Sequence, residues 1–83
     1  HDKMKELTLM LLYLNSWEEN EHGTKYRRSW KGYDFDVLNE LSDDDLIIDG
    51  KHSKSCALSN DGIAKALMLL KEYNINLSDG DES

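Results

Sequence analysis

The sequence predicts an α+β domain of three or more helices and one two-stranded β-hairpin. Three observations lead there. Apolar residues recur at helical spacing around Leu7 to Leu14, Phe35 to Leu41 and Ile63 to Leu70. Asp49-Gly50 stands between two short apolar runs, a strong hairpin signal. The chain of 83 residues suffices for one domain, and Cys56 is its only cysteine, so no internal disulfide can substitute for a core.

The first helix is predicted over residues 5–19, after a flexible N-terminus at 1–4. Leu7, Met10, Leu11, Leu14 and Trp17 fall on one face, and Leu9, Leu12 and Tyr13 extend the apolar surface almost all round. A helix apolar on most sides is either central to its own domain or shared with a partner. Leu9, Leu12 and Tyr13 are therefore candidate dimer contacts, with the first and last helices as the dimer elements. The alternative is an ordinary core helix.

Residues 20–33 read as a polar connection punctuated by Gly23 and Gly32, anchored on the core by rings among Tyr26, Trp30 and Tyr33. The second helix is predicted over 34–45, with Asp34 as N-cap and Phe35, Leu38 and Leu41 on one face, Val37 beside them. Asp43, Asp44 and Asp45 oppose the helix dipole, so this helix ends near Ser42 or a short new turn starts there. Leu46 to Ile48 and Ser55 to Leu58 form the two strands. Ser59 caps the last helix, whose buried stripe is Ile63, Ala66, Leu67, Leu70 and Tyr73, with Asn74 as its C′ residue. Ile75 and Leu77 fold back on the core, which closes a domain at 5–77. Residues 78–83 are an acidic, disordered tail.

Net charge is −7, which counts against binding driven by phosphate neutralisation. The charge is segregated. Lys25, Arg27, Arg28 and Lys31 form a basic segment. Seven acids from Asp34 to Asp49 follow with no base among them, and then come Lys51, His52 and Lys54. The longest apolar run, Leu9 to Leu14, is far shorter than the ~20 residues of a membrane span. With no secretory signal expected either, the setting is read as cytoplasmic.

The stretch Asp34 to Leu41, the acidic turn into Leu46-Ile47-Ile48, and the junction Cys56-Ala57-Leu58-Ser59-Asn60-Asp61-Gly62-Ile63 resemble winged-helix proteins. They look like the end of the third helix, the first wing strand and the exit from the second. The resemblance implies a small winged-helix-like domain whose wing is Asp49 to Lys54. Asp45 stands where that pattern usually has glycine, and the helix in the reader's position is acidic rather than basic. More closely, Leu7 to Glu19, Arg28 to Leu41 and Lys54 to Gly62 resemble a small family of uncharacterised bacterial proteins, from about Lys5 to Asn74. That resemblance implies a fold and no activity.

Five groups are weighed as sites. In the segment Lys25, Arg27, Arg28, Trp30, Lys31, rings and cations could stack on bases or grip phosphate. The favoured reading is structural: Trp30 and Tyr33 plug the core and the cations pair with the acidic second helix. Lys51, His52 and Lys54 at the wing tip could contact a backbone or partner, against a solvated tip. Asp43 to Asp45 with Asp49 lacks the ligand alternation of a calcium loop and reads as a solvated acidic turn. Cys56 with His22 or His52 could be a nucleophile and base, but a small-residue strand context favours a buried thiol. The apolar excess of the first helix is the fifth. No phosphate loop, metal cluster or triad pattern appears, so a non-enzymatic protein without cofactor is expected. Its role is read as a regulatory or protein-interaction module, with a protein partner or a second copy as ligand. The alternative is a DNA-binding domain using the 25–31 segment and the wing.

Overall fold

A computed structural model describes residues 2–50 and 52–75. The elements run α1 (Asp2–Leu14), β1 (Trp17–Glu21), β2 (Thr24–Trp30), α2 (Phe35–Asp43), β3 (Ile47–Asp49), β4 (Ser55–Leu58) and α3 (Asn60–Glu72). This is an α+β domain of three helices and a four-stranded antiparallel sheet of order β1-β2-β4-β3.

The expected hairpin is present, as β3 and β4, but it is only half of the sheet. Residues 17–30, expected as the end of a helix and a polar connection, form a second hairpin. Its turn is His22-Gly23, with φ of 52° and 79°. Positive φ at both central positions is the primed turn that matches strand twist, and glycine supplies one of the two without strain. The strand Trp17–Glu21 carries three glutamates and no aliphatic residue, so it shows no apolar alternation to betray it.

α1 begins at Asp2, three residues before its expected start, and stops at Leu14. Its first turns are tied down on two sides. Lys3 Nζ donates to Tyr73 Oη at 2.7 Å, and that hydroxyl donates to Glu6 Oε1 at 3.1 Å. Lys5 Nζ lies 2.6 Å from Asp44 Oδ2 and 3.9 Å from Glu40 Oε1. The start of α1 is thereby fastened to the end of α3 and to α2.

The core lies between the helices and one face of the sheet. Leu9, Leu12, Leu38, Leu41, Leu69, Leu70 and Cys56 are among its fully buried side chains, with Ile47 and Leu58 from the strands. Each aliphatic side chain so buried contributes about 1.5–3 kcal/mol. Leu9 and Leu12, expected as surplus for a dimer, are thus inside their own chain, and Tyr13 is half-buried against the same core. The rotation of α1 differs from that expected because an all-round apolar helix does not declare which side faces inward. The exposed apolar residues of α1 are instead Met4, Leu7, Leu11 and Leu14. Phe35, expected on the buried face of α2, is exposed; Val37 takes its place beside Leu38 and Leu41. In α3, Leu69 is buried where Leu67 was expected.

Both later helices end in the same way. Asp45 and Asn74 adopt φ of 60° and 59°. Leu46 N donates to Leu41 O and Asp45 N to Ser42 O, and Ile75 N donates to Leu70 O and Asn74 N to Lys71 O. These paired bonds are Schellman caps, which normally favour glycine at C′. Asn74 is the expected C′ residue. Asp45 holds the same position in α2, so that helix runs to Asp43 and ends on an aspartate where glycine is usual. Asp34 accepts from Asp36 N and Val37 N, and Ser59 accepts from Gly62 N, as the sequence predicts. Gly62 itself sits where a Cβ would fall 1.9 Å from Leu46 O, so α3 can approach the start of β3 only with glycine there. Ile75, expected to fold back, is exposed. The readings on Leu77 and the 78–83 tail lie outside the described residues.

Candidate functional site

Successive residues of a strand point to opposite faces, so β2 divides its own basic residues between two sides. Arg27 pairs in register with Leu58, and Ser29 with Cys56; these face the helices. Arg28 pairs with Ala57 and Trp30 with Ser55; these face outward. The register with β1 puts Trp17 beside Arg28 and Glu19 beside Tyr26 on that outward face. Ile48, opposite Ala57, joins them.

This outward face is aromatic and open. Trp30 is 61% exposed and Ile48 62%. Trp17 and Trp30 are diagonal neighbours with ring centroids 4.9 Å apart and planes at 45°. Tilted rings at that separation attract beyond their area burial. Trp17 Nε1 donates to Glu19 Oε2 at 2.9 Å. Arg28 reaches across to β4, its Nε donating to Ser55 Oγ at 3.1 Å and its Nη2 to Ser55 O at 3.3 Å. Trp30, expected to plug the core, therefore stands on the outside. Its ring follows the pleat, and the core positions of β2 belong to Arg27 and Ser29.

A hollow of about 280 Å³ opens beside Trp30, lined by Asn15, Ser29, Gly32 and Tyr33. Asn15 Nδ2 donates to Tyr33 Oη across it at 3.3 Å. The Ser29 hydroxyl is buried there and makes no hydrogen bond to another described residue.

The other cations are not gathered on this face. Arg27 Nε donates to Ser16 Oγ at 2.8 Å, and its guanidinium lies 5.1 Å from the centre of the Tyr13 ring. Lys31 Nζ lies 2.6 Å from Asp49 Oδ1 and donates to Gly50 O at 2.9 Å. Lys25 is exposed on the helix side of the sheet; His52 and Lys54 are exposed beyond the β3–β4 turn. Lys51 lies outside the described residues. The cations of the 25–31 segment were expected to pair with the acids of α2. It is Lys5 of α1 that does so, while Arg27, Arg28 and Lys31 are held by Ser16, Ser55 and Asp49.

Cys56 is fully enclosed, and burial pushes its thiol above the ordinary 9.0. A nucleophile must be ionised and reachable, and Cys56 is neither. Among the described residues no three His, Cys, Asp or Glu side chains are grouped to hold a metal ion, and no helix is long and apolar enough to cross a membrane.

Sequence reasoning missed Trp17, Ile48 and Phe35 as surface residues. A strand beginning at Trp17 would have revealed the first through its register with Arg28. Residues 1–76 match a family described as "Domain of unknown function (DUF6429)". No curated protein and no solved structure matches the chain.

Proposed function

We propose, for a chain that belongs to the DUF6429 family, a protein-interaction role exercised through the open face of its sheet. The observation that carries this reading is the Trp17–Trp30 pair, in which a half-buried Trp17 supports an exposed Trp30. Trp, Tyr and Arg are the residues that dominate binding energy at protein interfaces, and Trp17, Tyr26, Arg28 and Trp30 share this face.

Charge sets the partner's chemistry. Glu19 and Glu21 lie on the open face at its β1 rim, and the chain carries a net −7. The partner is therefore a protein segment apolar at its centre and basic at its rim. Nucleic acid fits poorly, since Arg27 and Lys31 point away from this face into bonds of their own. The order α2, β3, β4, α3 supports a winged-helix-like reading of that half of the chain, with β3–β4 as the wing and a regulatory role as its natural use.

Two measurements together test the reading. The immobilised domain and its Trp30→Ser variant are exposed to cell lysate and eluted with salt. In parallel, a single-stranded oligonucleotide is titrated against the free domain by tryptophan fluorescence. The expected result is a basic protein retained by the wild type, lost by the variant, and no response to the oligonucleotide. Stoichiometric quenching by the oligonucleotide, or identical retention by both domains, overturns the reading.

A further inference from the structure

β2 runs on where β4 stops. Arg27 pairs with Leu58, the last residue of β4, while Thr24, Lys25 and Tyr26 pair with β1 alone. Beyond Leu58 the chain turns into α3, capped by Ser59. The sheet therefore has a notch between the overhang of β2 and the start of α3. A cleft of about 570 Å³ opens there, within the size range of small-molecule sites.

Its lining is of two kinds. Leu58, Ile63 and the ring of Tyr13 supply an apolar wall, and Tyr26 and Ile48 line it where it meets the open sheet face. The charged groups are Lys25, Arg27 and Glu18. Two cations against one carboxylate leave a single positive charge, in a chain of net charge −7. Arg27 is held in position: its Nε donates to Ser16 Oγ at 2.8 Å and its Nη2 to Ser16 O at 3.3 Å, with the guanidinium 5.1 Å from the centre of the Tyr13 ring. A guanidinium has five N–H donors, so some are left over. Lys25 is exposed and makes no hydrogen bond or ion pair with another described residue. A fixed guanidinium and an uncommitted ammonium beside an apolar wall are the convergent polar groups by which a concave site orients a ligand.

We infer that this notch binds a small aromatic carboxylate. A flat ring packs against tyrosine and aliphatic side chains, and a monoanion matches the local charge. A phosphate monoester fits worse, because its second charge exceeds the one positive charge that the notch offers and faces Glu18. The ligand is small, so its dissociation constant is on the order of 1 mM for a two-ring acid. The site is separate from the tryptophan pair and touches the outward face only through Tyr26 and Ile48.

Titration of the whole chain with 1-naphthoate, followed by amide chemical shifts in nuclear magnetic resonance, tests this. The amides of residues 24–27 and 59–63 should move along a saturating curve. At equal concentration 1-naphthamide, which has the ring without the charge, should move them at least about threefold less. 1-Naphthyl phosphate should bind no more tightly than the carboxylate. Lys25→Met should weaken 1-naphthoate about threefold or more, Lys25→Arg should bind it as wild type does, and Glu18→Gln should tighten it about twofold. Trp30→Ser should leave it unchanged. The inference is overturned by shifts that do not saturate below about 10 mM, or by shifts centred on the indole N–H groups of Trp17 and Trp30. Equal response to 1-naphthamide, tighter binding of the phosphate, or affinity indifferent to Lys25→Met and Glu18→Gln overturns it as well.

Discussion

Trp17 and Trp30 sit on neighbouring strands as a diagonal pair, ring centroids 4.9 Å apart, on the side of the sheet that the helices leave open. Nothing in the core depends on Trp30, which is 61% exposed. Trp30→Ser should therefore cost about 1 kcal/mol or less in a urea melt, the worth of one ring pair. It should also abolish the exciton band that coupled indoles give in the far-ultraviolet circular dichroism. Loss of several kcal/mol would mean that the ring belongs to the core after all.

Asp45 holds a left-handed conformation, φ 60°, at the end of α2. Its carboxylate also stands at the negative end of the helix dipole. Asp45→Gly relieves both, and no side-chain partner of Asp45 is lost, since Ser59 Oγ donates to its backbone carbonyl. The variant should be more stable by about 0.5–1 kcal/mol, read as a raised denaturation midpoint. A lower midpoint would contradict the cap as described.

The rotation of α1 is tested by two adjacent leucines. Leu12 is fully buried and Leu11 is 46% exposed. Leu12→Ala should cost about 2–5 kcal/mol, and Leu11→Ala within about 0.5 kcal/mol. Reversed costs would place the opposite face of α1 inward.

Three groups hold their protons more tightly in the folded chain. The hydrogen bond to Tyr73 raises Lys3, the bond to Asp44 raises Lys5, and burial raises Cys56. For each, the stabilisation is fully present below the unfolded value, 10.5 for the amines and 9.0 for the thiol, and is lost as pH rises through the folded one. Stability should fall above pH 9.0, first from Cys56 and then from the lysines. Cys56→Ala should flatten the first part of that decline, and Lys5→Met the later part. A urea midpoint unchanged up to about pH 11 would contradict this assignment.

What the sequence disclosed depended on where local chemistry was decisive. The caps at Asp34 and Ser59, the C′ residue Asn74 and the Asp49-Gly50 hairpin are local devices, and each stands where it was expected. β1 was hidden because Trp17–Glu21 is almost wholly polar, an edge strand held by pairing to β2 rather than by burying a face. Without its register, Trp17 read as helix and Trp30 as a core plug, and the alternation that sends Arg27 inward and Arg28 outward was invisible. α1 shows the reverse difficulty, since an excess of apolar residues conceals which side is buried. The stretches that resemble winged-helix proteins reach β3 and β4 but not β1 and β2, the half of the sheet that carries the tryptophans.

The open sheet face as a protein-contact surface is tested most directly by photo-cross-linking in living cells. A benzophenone side chain replaces Ile48, which leaves the tryptophan pair intact, and in a control replaces Asn39 on the exposed side of α2. The account predicts a covalent adduct to a basic protein from position 48, absent from position 39 and lost when Trp30→Ser is added. Adducts to nucleic acid, or equal yields from both positions whether or not Trp30 is present, would contradict it.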